Sequence, residues 1–288
     1  MGRMEFPEYG LCDMHCHMIP GVDDGSADMD MSVRMMRADL DNCIDTVILT
    51  PHHKGGHHNV RPGEQSALIT QMADAAWDAG MDVTEGMLLD PGKSVPAGTP
   101  GEDDWREGAE LVLFPGNEIL YDSGVAERLE RGLIQTLAGT SYVLLEFRPD
   151  DPYARVQEGL RALAYEGYRV VVAHCERYDC LREDFSRAED LVRGNVVLQV
   201  NADSVLHGGT GRTGRFGRRF DPVAQFVQHL LDEELVSLIA TDAHRDAGAR
   251  SPDLLPCWQY LMRRYDPEYV REITRENALR ILRDEDVR

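Results

Sequence analysis

The run Leu11-Cys-Asp-Met-His-Cys-His17 places two imidazoles two residues apart in a stretch whose alternation suits a short strand. A strand sends His15 and His17 to one face, where neutral rings can share a cation. Pro20-Gly21 and Asp23-Asp24-Gly25 follow, so this strand ends in a turn just past the histidines. Downstream, other apolar runs end the same way, on His52, Glu118, Glu146, His174, and Asp242 with His244. Each has an ordinary reading when taken alone. Glu118 could be a loop acid, Asp242 a helix N-cap and His174 a core histidine. Taken together, a mixed histidine and carboxylate set suits Mn²⁺, Fe²⁺ or Zn²⁺, whereas thiolate-rich sites suit structural zinc. Eight candidates exceed the needs of one ion, and a bridging carboxylate would hold two or three. Such a cluster clamps a phosphoryl group and makes hydroxide at neutral pH.

Strands must deliver these side chains from distant parts of the sequence. Runs at Leu11–His17, Thr46–Thr50, Glu110–Pro115, Tyr142–Phe147, Arg169–Ala173, Val196–Val200 and Val236–Ala240 read as buried strands. Helical patterns lie between them. Asp28 caps a helix with Val33, Met36, Leu40 and Cys43 on one face. Residues 64–79 turn Leu68, Met72, Ala75 and Ala79 inward, and later helices carry Val156, Leu160 and Leu163, then Val223, Phe226, Val227 and Leu230. This alternation predicts an α/β fold with a parallel sheet, and seven such units favour a closed or nearly closed barrel. In a barrel of this kind, sites gather at the C-terminal ends of the strands. No linker divides residues 1–288, so a single domain is expected. The disturbance is an insertion at about 84–108, rich in Gly, Pro, Asp and Glu, which reads as a flap or partner-contact loop.

The net charge of −21 arises from 51 acidic against 30 basic residues, with Lys54 and Lys93 as the only lysines. Such a surface argues against nucleic acid and anionic membrane as partners. No stretch of about 18 apolar residues is present, and the N-terminus lacks the apolar core of a signal peptide, so no membrane insertion and a cytoplasmic location are expected. The six cysteines form no CxxC framework and read as thiols in a reducing compartment.

In order along the chain stand Asp13-Met-His-Cys-His17 with Asp23-Asp-Gly25, Thr50-Pro-His52, Gly116-Asn-Glu118, Glu146-Phe147, Ala173-His-Cys-Glu-Arg177, Asn201 and Asp242-Ala-His244. This set resembles the polymerase-and-histidinol-phosphatase (PHP) superfamily over roughly residues 11–250. More narrowly it resembles the manganese-dependent protein-tyrosine phosphatases of bacterial capsule and exopolysaccharide clusters. The resemblance implies a distorted, TIM-like (β/α)₇ barrel and a trinuclear metal centre. It also implies hydrolysis of phosphotyrosine by a metal-bridged hydroxide, often on the tail of a bacterial tyrosine autokinase. Carried over by residue, the ligands would be His15, His17, His52, Glu118, Glu146, His174, Asp242 and His244, and Arg177 would bind phosphate. Arg250 would be a second phosphate arginine, displaced by about one residue from its usual place. Cys175 stands where the pattern has proline, and the insertion at 84–108 stands where it has a short connection.

Two alternatives belong to other classes: a small-molecule phosphatase of the same superfamily, such as one acting on histidinol phosphate, and a non-catalytic metal-binding scaffold. Other matches carry less. His53, His57 and His58 read as a solvated loop at the mouth, and His207 with Gly208–Gly211 as a turn-rich connection. Cys257-x₅-Arg263 mimics a cysteine-phosphatase loop, but its bulky residues suit an amphipathic helix with Arg263 on the solvated face.

Overall fold

The computed structural model describes residues 6–57, 59–86, 109–207 and 221–287. Its strands are β1 (Leu11–Cys16), β2 (Ile44–Leu49), β3 (His52–His53), β4 (Val83–Glu85), β5 (Leu111–Pro115), β6 (Glu118–Leu120), β7 (Tyr142–Glu146), β8 (Arg169–Val172), β9 (Val197–Asn201) and β10 (Leu238–Ala240). Between and after them lie α1 (Met29–Asp41), α2 (Pro62–Asp78), α3 (Val125–Glu130), α4 (Tyr153–Tyr165), α5 (Asp179–Glu183), α6 (Ser186–Arg193), α7 (Ala202–His207) and α8 (Pro222–Asp232). The chain closes with α9 (Leu254–Met262), α10 (Pro267–Arg271) and α11 (Asn277–Leu282).

Every strand pairing is parallel, in the orders β1-β2-β5-β4 and β10-β9-β8-β7-β6-β3. The two sheets form one curled surface, because β3 continues β2 past Thr50-Pro51 and β6 continues β5 past Gly116-Asn117. Pro51 has no N–H to give to a ladder, which breaks the first of these strands. The free edges meet at the C-terminal rim. There Cys16 bridges Ala243, the His17 amide donates to the Ala243 carbonyl (2.9 Å), and the Asp242 amide donates to the His15 carbonyl (2.8 Å). Counting each broken strand once, the ring has the seven positions predicted from sequence. It is distorted where β5 leaves the ring to pair with β4, and the 3₁₀ turn Leu137–Gly139 packs between β5 and β7.

A sheet buried on both faces sends alternate residues to two cores. On β7, Val143 and Leu145 join the outer cluster under the helices, while Tyr142 and Leu144 join the inner one. Cys12, Met14, Ile48, Phe114, Val171 and Leu238 also point inward, and Leu279, Ile281 and Leu282 of α11 pack against them. The C-terminal helix is therefore part of the barrel interior.

Some helix faces differ from those read in the sequence. Asp28 caps α1 as expected, accepting from the Met31 amide at 2.8 Å. The buried stripe, however, is Met31, Ser32, Met35, Met36 and Asp39, with Val33 and Leu40 only partly buried. On α2 the stripe is Gln65, Ile69, Met72 and Ala76; Leu68 and Ala75 are half-buried and Ala79 is exposed. The cause is polar. Gln65 donates to the carbonyls of Leu49 (3.2 Å) and Gly116 (2.7 Å), where β2 and β5 break, and this fixes the helix rotation. The expected insertion begins in β4 with Thr84 and Glu85, and its residues 87–108 lie outside the described residues. Among the described residues, no helix is long and apolar enough to cross a membrane.

Candidate metal centre

A bulge in β1 aims the first two histidines. Asp13 pairs with Val47 and Cys16 with Leu49, so β1 takes three steps where β2 takes two. The extra residue puts Met14 and His15 in succession on the barrel side, as bulges beside active sites do. Asp13 faces the other way, fully buried, and accepts from the Thr241 amide (2.9 Å) and the Thr241 hydroxyl. Burial pushes its carboxyl up to about 6, against the pull of those bonds.

All eight candidate ligands converge at the rim. His15 Nε2 lies 3.2 Å from His17 Nε2, 3.4 Å from Glu118 Oε1 and 3.5 Å from Asp242 Oδ1. His17 Nε2 is 3.3 Å from Glu118 Oε2. Glu118 also meets His52 Nδ1 and His174 Nε2, each at 2.8 Å, and Glu146 lies 4.0 and 3.7 Å from the same two rings. His244 stacks on His17 with ring centroids 4.0 Å apart. Three overlapping triplets emerge, His17/His52/His244, His15/His17/Glu118 and His52/Glu118/Glu146, each with its ligand atoms within 4.8 Å of one another. His17, His52 and Glu118 are each shared between two triplets.

The proton inventory tests whether metal fits. His15 Nδ1 faces Gln199 Oε1 (3.1 Å), and His17 Nδ1 faces Asp23 Oδ2 (2.8 Å). Both partners are acceptors, so both Nδ1 atoms carry hydrogen, and the Nε2 atoms are the ones left to meet an ion. These two Nε2 atoms, buried 3.2 Å apart and flanked by two carboxylates, sit where positive charge is favoured, whether a proton on the rings or a divalent ion between them. Burial opposes charge on His17, yet its bond to Asp23 and the nearby Glu118 raise it to about 10. Burial likewise opposes charge on Glu118, but His15 and hydrogen bonds from the histidines hold it well below the carboxylate range. Burial and then His17 push His244 down to about 3. His244 Nε2 and His174 Nδ1 also lack hydrogen-bond partners among the described residues. The donor set fits divalent ions.

Both arginines reach the same carboxylate. Arg177 Nη2 donates to Asp242 Oδ2 (2.7 Å) and Arg250 Nη2 to Asp242 Oδ1 (2.9 Å), with their heads part-exposed at the mouth. Arg250 has a left-handed backbone (φ 62°), and its carbonyl accepts from the His244 (2.8 Å) and Arg245 (3.1 Å) amides. His174 (φ 30°) and Asp242 (φ 52°) are left-handed as well. Such non-glycine residues each cost about 1–3 kcal/mol and gather at functional sites.

Three contributors were given no site role in the sequence reading, although Asp23 and Asp24 stand in its motif set. Asp23 orients His17 and accepts from the His52 amide (3.0 Å). Asp24 Oδ1 sits 3.3 Å from His52 Nε2 and 3.6 Å from His244 Nε2, 64% exposed, as a carboxylate at the mouth. Gln199 is the third, signalled only by lying two residues before Asn201 on one strand face. Other candidates fall away. His53 is no part of a solvated loop; it is buried on the opposite face of β3, and burial, then Arg128, lowers it to about 4. His57 and His207 are exposed, while His58 and Gly208–Gly211 lie outside the described residues. Cys257 is buried within α9, its thiol pushed far up by burial, and Arg263 is exposed at the end of that helix.

Comparison with known proteins agrees with this geometry. The family model described as Capsular polysaccharide synthesis, CpsB/CapC matches residues 11–90 and 102–283. Tyrosine-protein phosphatase CpsB of Streptococcus pneumoniae is 23% identical over 275 residues, covering 96% of this chain and 99% of the relative. Tyrosine-protein phosphatase YwqE of Bacillus subtilis is 29% identical over 235 residues, covering 81% and 77%. Among solved structures, those of YwqE from B. subtilis and CpsB from S. pneumoniae, described as unique metal-dependent tyrosine phosphatases, match with a TM-score of 0.76 at 26% identity over 96% of each chain. A phosphotriesterase homology protein from Escherichia coli shares the fold at a TM-score of 0.54 and 15% identity, covering 96% of this chain and 100% of that one. The barrel, the order of its motifs and these matches lead to one conclusion: the chain belongs to the CpsB/CapC family.

Proposed function

We propose that this chain is a metal-dependent phosphatase that hydrolyses phosphotyrosine on a protein, with the tail of a bacterial tyrosine kinase as the candidate partner. The observation that carries the reading is the convergence of the His15 and His17 Nε2 atoms on Glu118 and Asp242 in one buried cluster. The names of the CpsB and YwqE relatives support the phosphotyrosine part. In this reading His15, His17, His52, Glu118, Glu146, His174, Asp242 and His244 hold two or three divalent ions, with Mn²⁺ the first candidate and Fe²⁺ or Zn²⁺ the others. When bound, such ions supply Lewis acidity and a nucleophile from water at neutral pH.

The remaining work falls to the chain. Asp242 is the anchor on which Arg177 and Arg250 rest, each using one nitrogen. Their other N–H groups are donors for phosphoryl oxygens. The site thereby takes an anion in spite of the acidic surface. A tyrosinate leaves with a pKa near 10, so it needs less help from a general acid than an alkoxide does. The reading treats residues 1–288 as one catalytic domain, supported by two cores that draw on strands from β1 to β10. It also places the protein in the cytoplasm, where buried thiols such as Cys16, Cys175 and Cys257 stay reduced.

The test is a substrate panel on chelator-treated and Mn²⁺-restored enzyme. EDTA should abolish turnover, Mn²⁺ should restore it, and a phosphotyrosine peptide should outpace histidinol phosphate. Cys257→Ser should keep most activity. A chelator-resistant enzyme that dies with Cys257→Ser would overturn the metal reading, and a preference for histidinol phosphate would overturn the substrate.

A further inference from the structure

Six of the seven ring positions deliver a proposed ligand to the rim; β9 delivers none. Its inward side chains there are Gln199 and Asn201, 0% and 3% exposed. Gln199 Oε1 accepts from the His174 backbone amide (2.8 Å) and faces His15 Nδ1 (3.1 Å). Gln199 Nε2 donates to Asn201 Oδ1 (2.7 Å), and Asn201 Nδ2 donates to Asp242 Oδ2 (3.0 Å). An unbroken line of hydrogen bonds thus runs from His15 through two amides to Asp242.

The direction of this line is fixed at both ends. A backbone N–H only donates, so the atom facing His174 is the Gln199 oxygen. An ionised carboxylate only accepts, so the atom facing Asp242 is the Asn201 nitrogen. The bond between the two amides satisfies both demands at once. Reversing either amide would set oxygen against oxygen or N–H against N–H between side chains that are themselves shielded from water. One consequence reaches His15: its Nδ1 must carry the hydrogen, which aims the Nε2 lone pair at the space shared with Asp242 Oδ1, 3.5 Å away.

We propose that Gln199 and Asn201 act as one positioning unit, which fixes the tautomer of His15 and the orientation of Asp242 and so sets the affinity for the ion these two residues share. The proposal rests on the metal reading above. It makes β9 a strand that governs the centre without touching it.

Mn²⁺ affinity of the full-length, metal-stripped protein, read by competition with a fluorescent chelator, gives the test. Gln199→Met and Asn201→Leu keep approximate size and remove the amides. Each should loosen Mn²⁺ by about 10–100-fold, the range for partners behind a ligand. If the two are one unit, the double variant loses no more than the worse single, whereas independent residues would multiply their losses. Gln199→Glu guards against misfolding, because it keeps acceptors for His15 and His174 and removes the donor to Asn201, while its added charge behind His15 favours a cation. Net loosening there, with an unchanged circular dichroism spectrum, would show that the lost donor outweighs the charge. Wild-type affinity in both Gln199→Met and Asn201→Leu, or multiplied losses in the double variant, would overturn the unit while leaving the metal reading intact. Absence of Mn²⁺ uptake by the wild-type chain would overturn both.

Discussion

At the scale of single residues, the geometry separates chemical roles that the sequence leaves merged. Arg177 has a planar fork that can present paired N–H groups to phosphate while one nitrogen stays on Asp242. Arg177→Lys keeps the charge and loses the fork, so kcat/KM should fall by about 10–100-fold with Mn²⁺ content unchanged. Near-normal kinetics would show that Arg177 only supports Asp242. Asp39 poses a different question. It is fully buried on α1, and neither carboxylate oxygen has a hydrogen-bond partner among the described residues. Burial, then the neighbouring Asp13, holds its pKa well above the usual carboxylate range. The folded protein therefore keeps a proton that the unfolded chain releases above about pH 4, and this contribution lowers stability as pH rises from there toward the folded pKa. Asp39→Leu should stabilise by about 1–3 kcal/mol at pH 8 and by less at pH 5, as read from urea unfolding. An equal gain at both values would show that Asp39 is ionised in the fold. The convergence of the eight proposed ligands was legible because imidazoles and carboxylates at strand ends are conspicuous. Asp39, Gln65 and Gln199 were not, because a pattern read from apolar residues assigns polar ones to the surface.

At the scale of elements, the main strands were legible as β-branched runs, while the short extensions that complete the site were not. β3 and β6 span only His52–His53 and Glu118–Leu120, too brief for any period. The bulge in β1 is equally silent, since His15 and His17 share a face with or without it. What the bulge decides is which face. The turn after β1 then locks that choice through Asp23. A Cβ on Gly25 would lie 2.0 Å from the His17 carbonyl oxygen, a backbone atom that cannot swing aside. Gly25→Ala should therefore push Asp23 off the His17 ring. Mn²⁺ affinity should drop by about 10–100-fold, together with a lower melting temperature of the metal-free protein. If both stay at wild-type values, the turn is soft and Asp23 does not set the ring. The helix faces carry the converse lesson: hydrophobic spacing placed α4 correctly, but Gln65 overruled it on α2.

At the scale of the whole molecule, the seven-position barrel follows from strand count and alternation, and its distortion does not. The departure of β5 toward β4 depends on a strand of three residues, Val83–Glu85, in a stretch rich in turn formers. The net charge of −21 is compatible with the proposed phosphoryl substrate, because Arg177 and Arg250 at the rim, with the ions proposed there, would reverse the sign locally. The ring joins its own ends by a narrow margin. Between β1 and the chain after β10, the ladder amounts to the Cys16–Ala243 bridge with the His17 and Asp242 amide bonds. The flanking residues on both sides of that joint are proposed metal ligands. The barrel is thus less a welded hoop than a bracelet whose clasp is the active site, and an ion seated there would fasten the hoop shut. Amide hydrogens of His17 and Asp242 should exchange faster than those of Val143 and Val171 in metal-free protein, and Mn²⁺ should slow the first pair while leaving the second nearly unchanged. Uniform protection with and without Mn²⁺ would mean that the clasp is held by the strands alone. Catalytic competence and closure of the fold would then be separate properties; with the clasp, losing the metal loosens the architecture at the place where substrate enters.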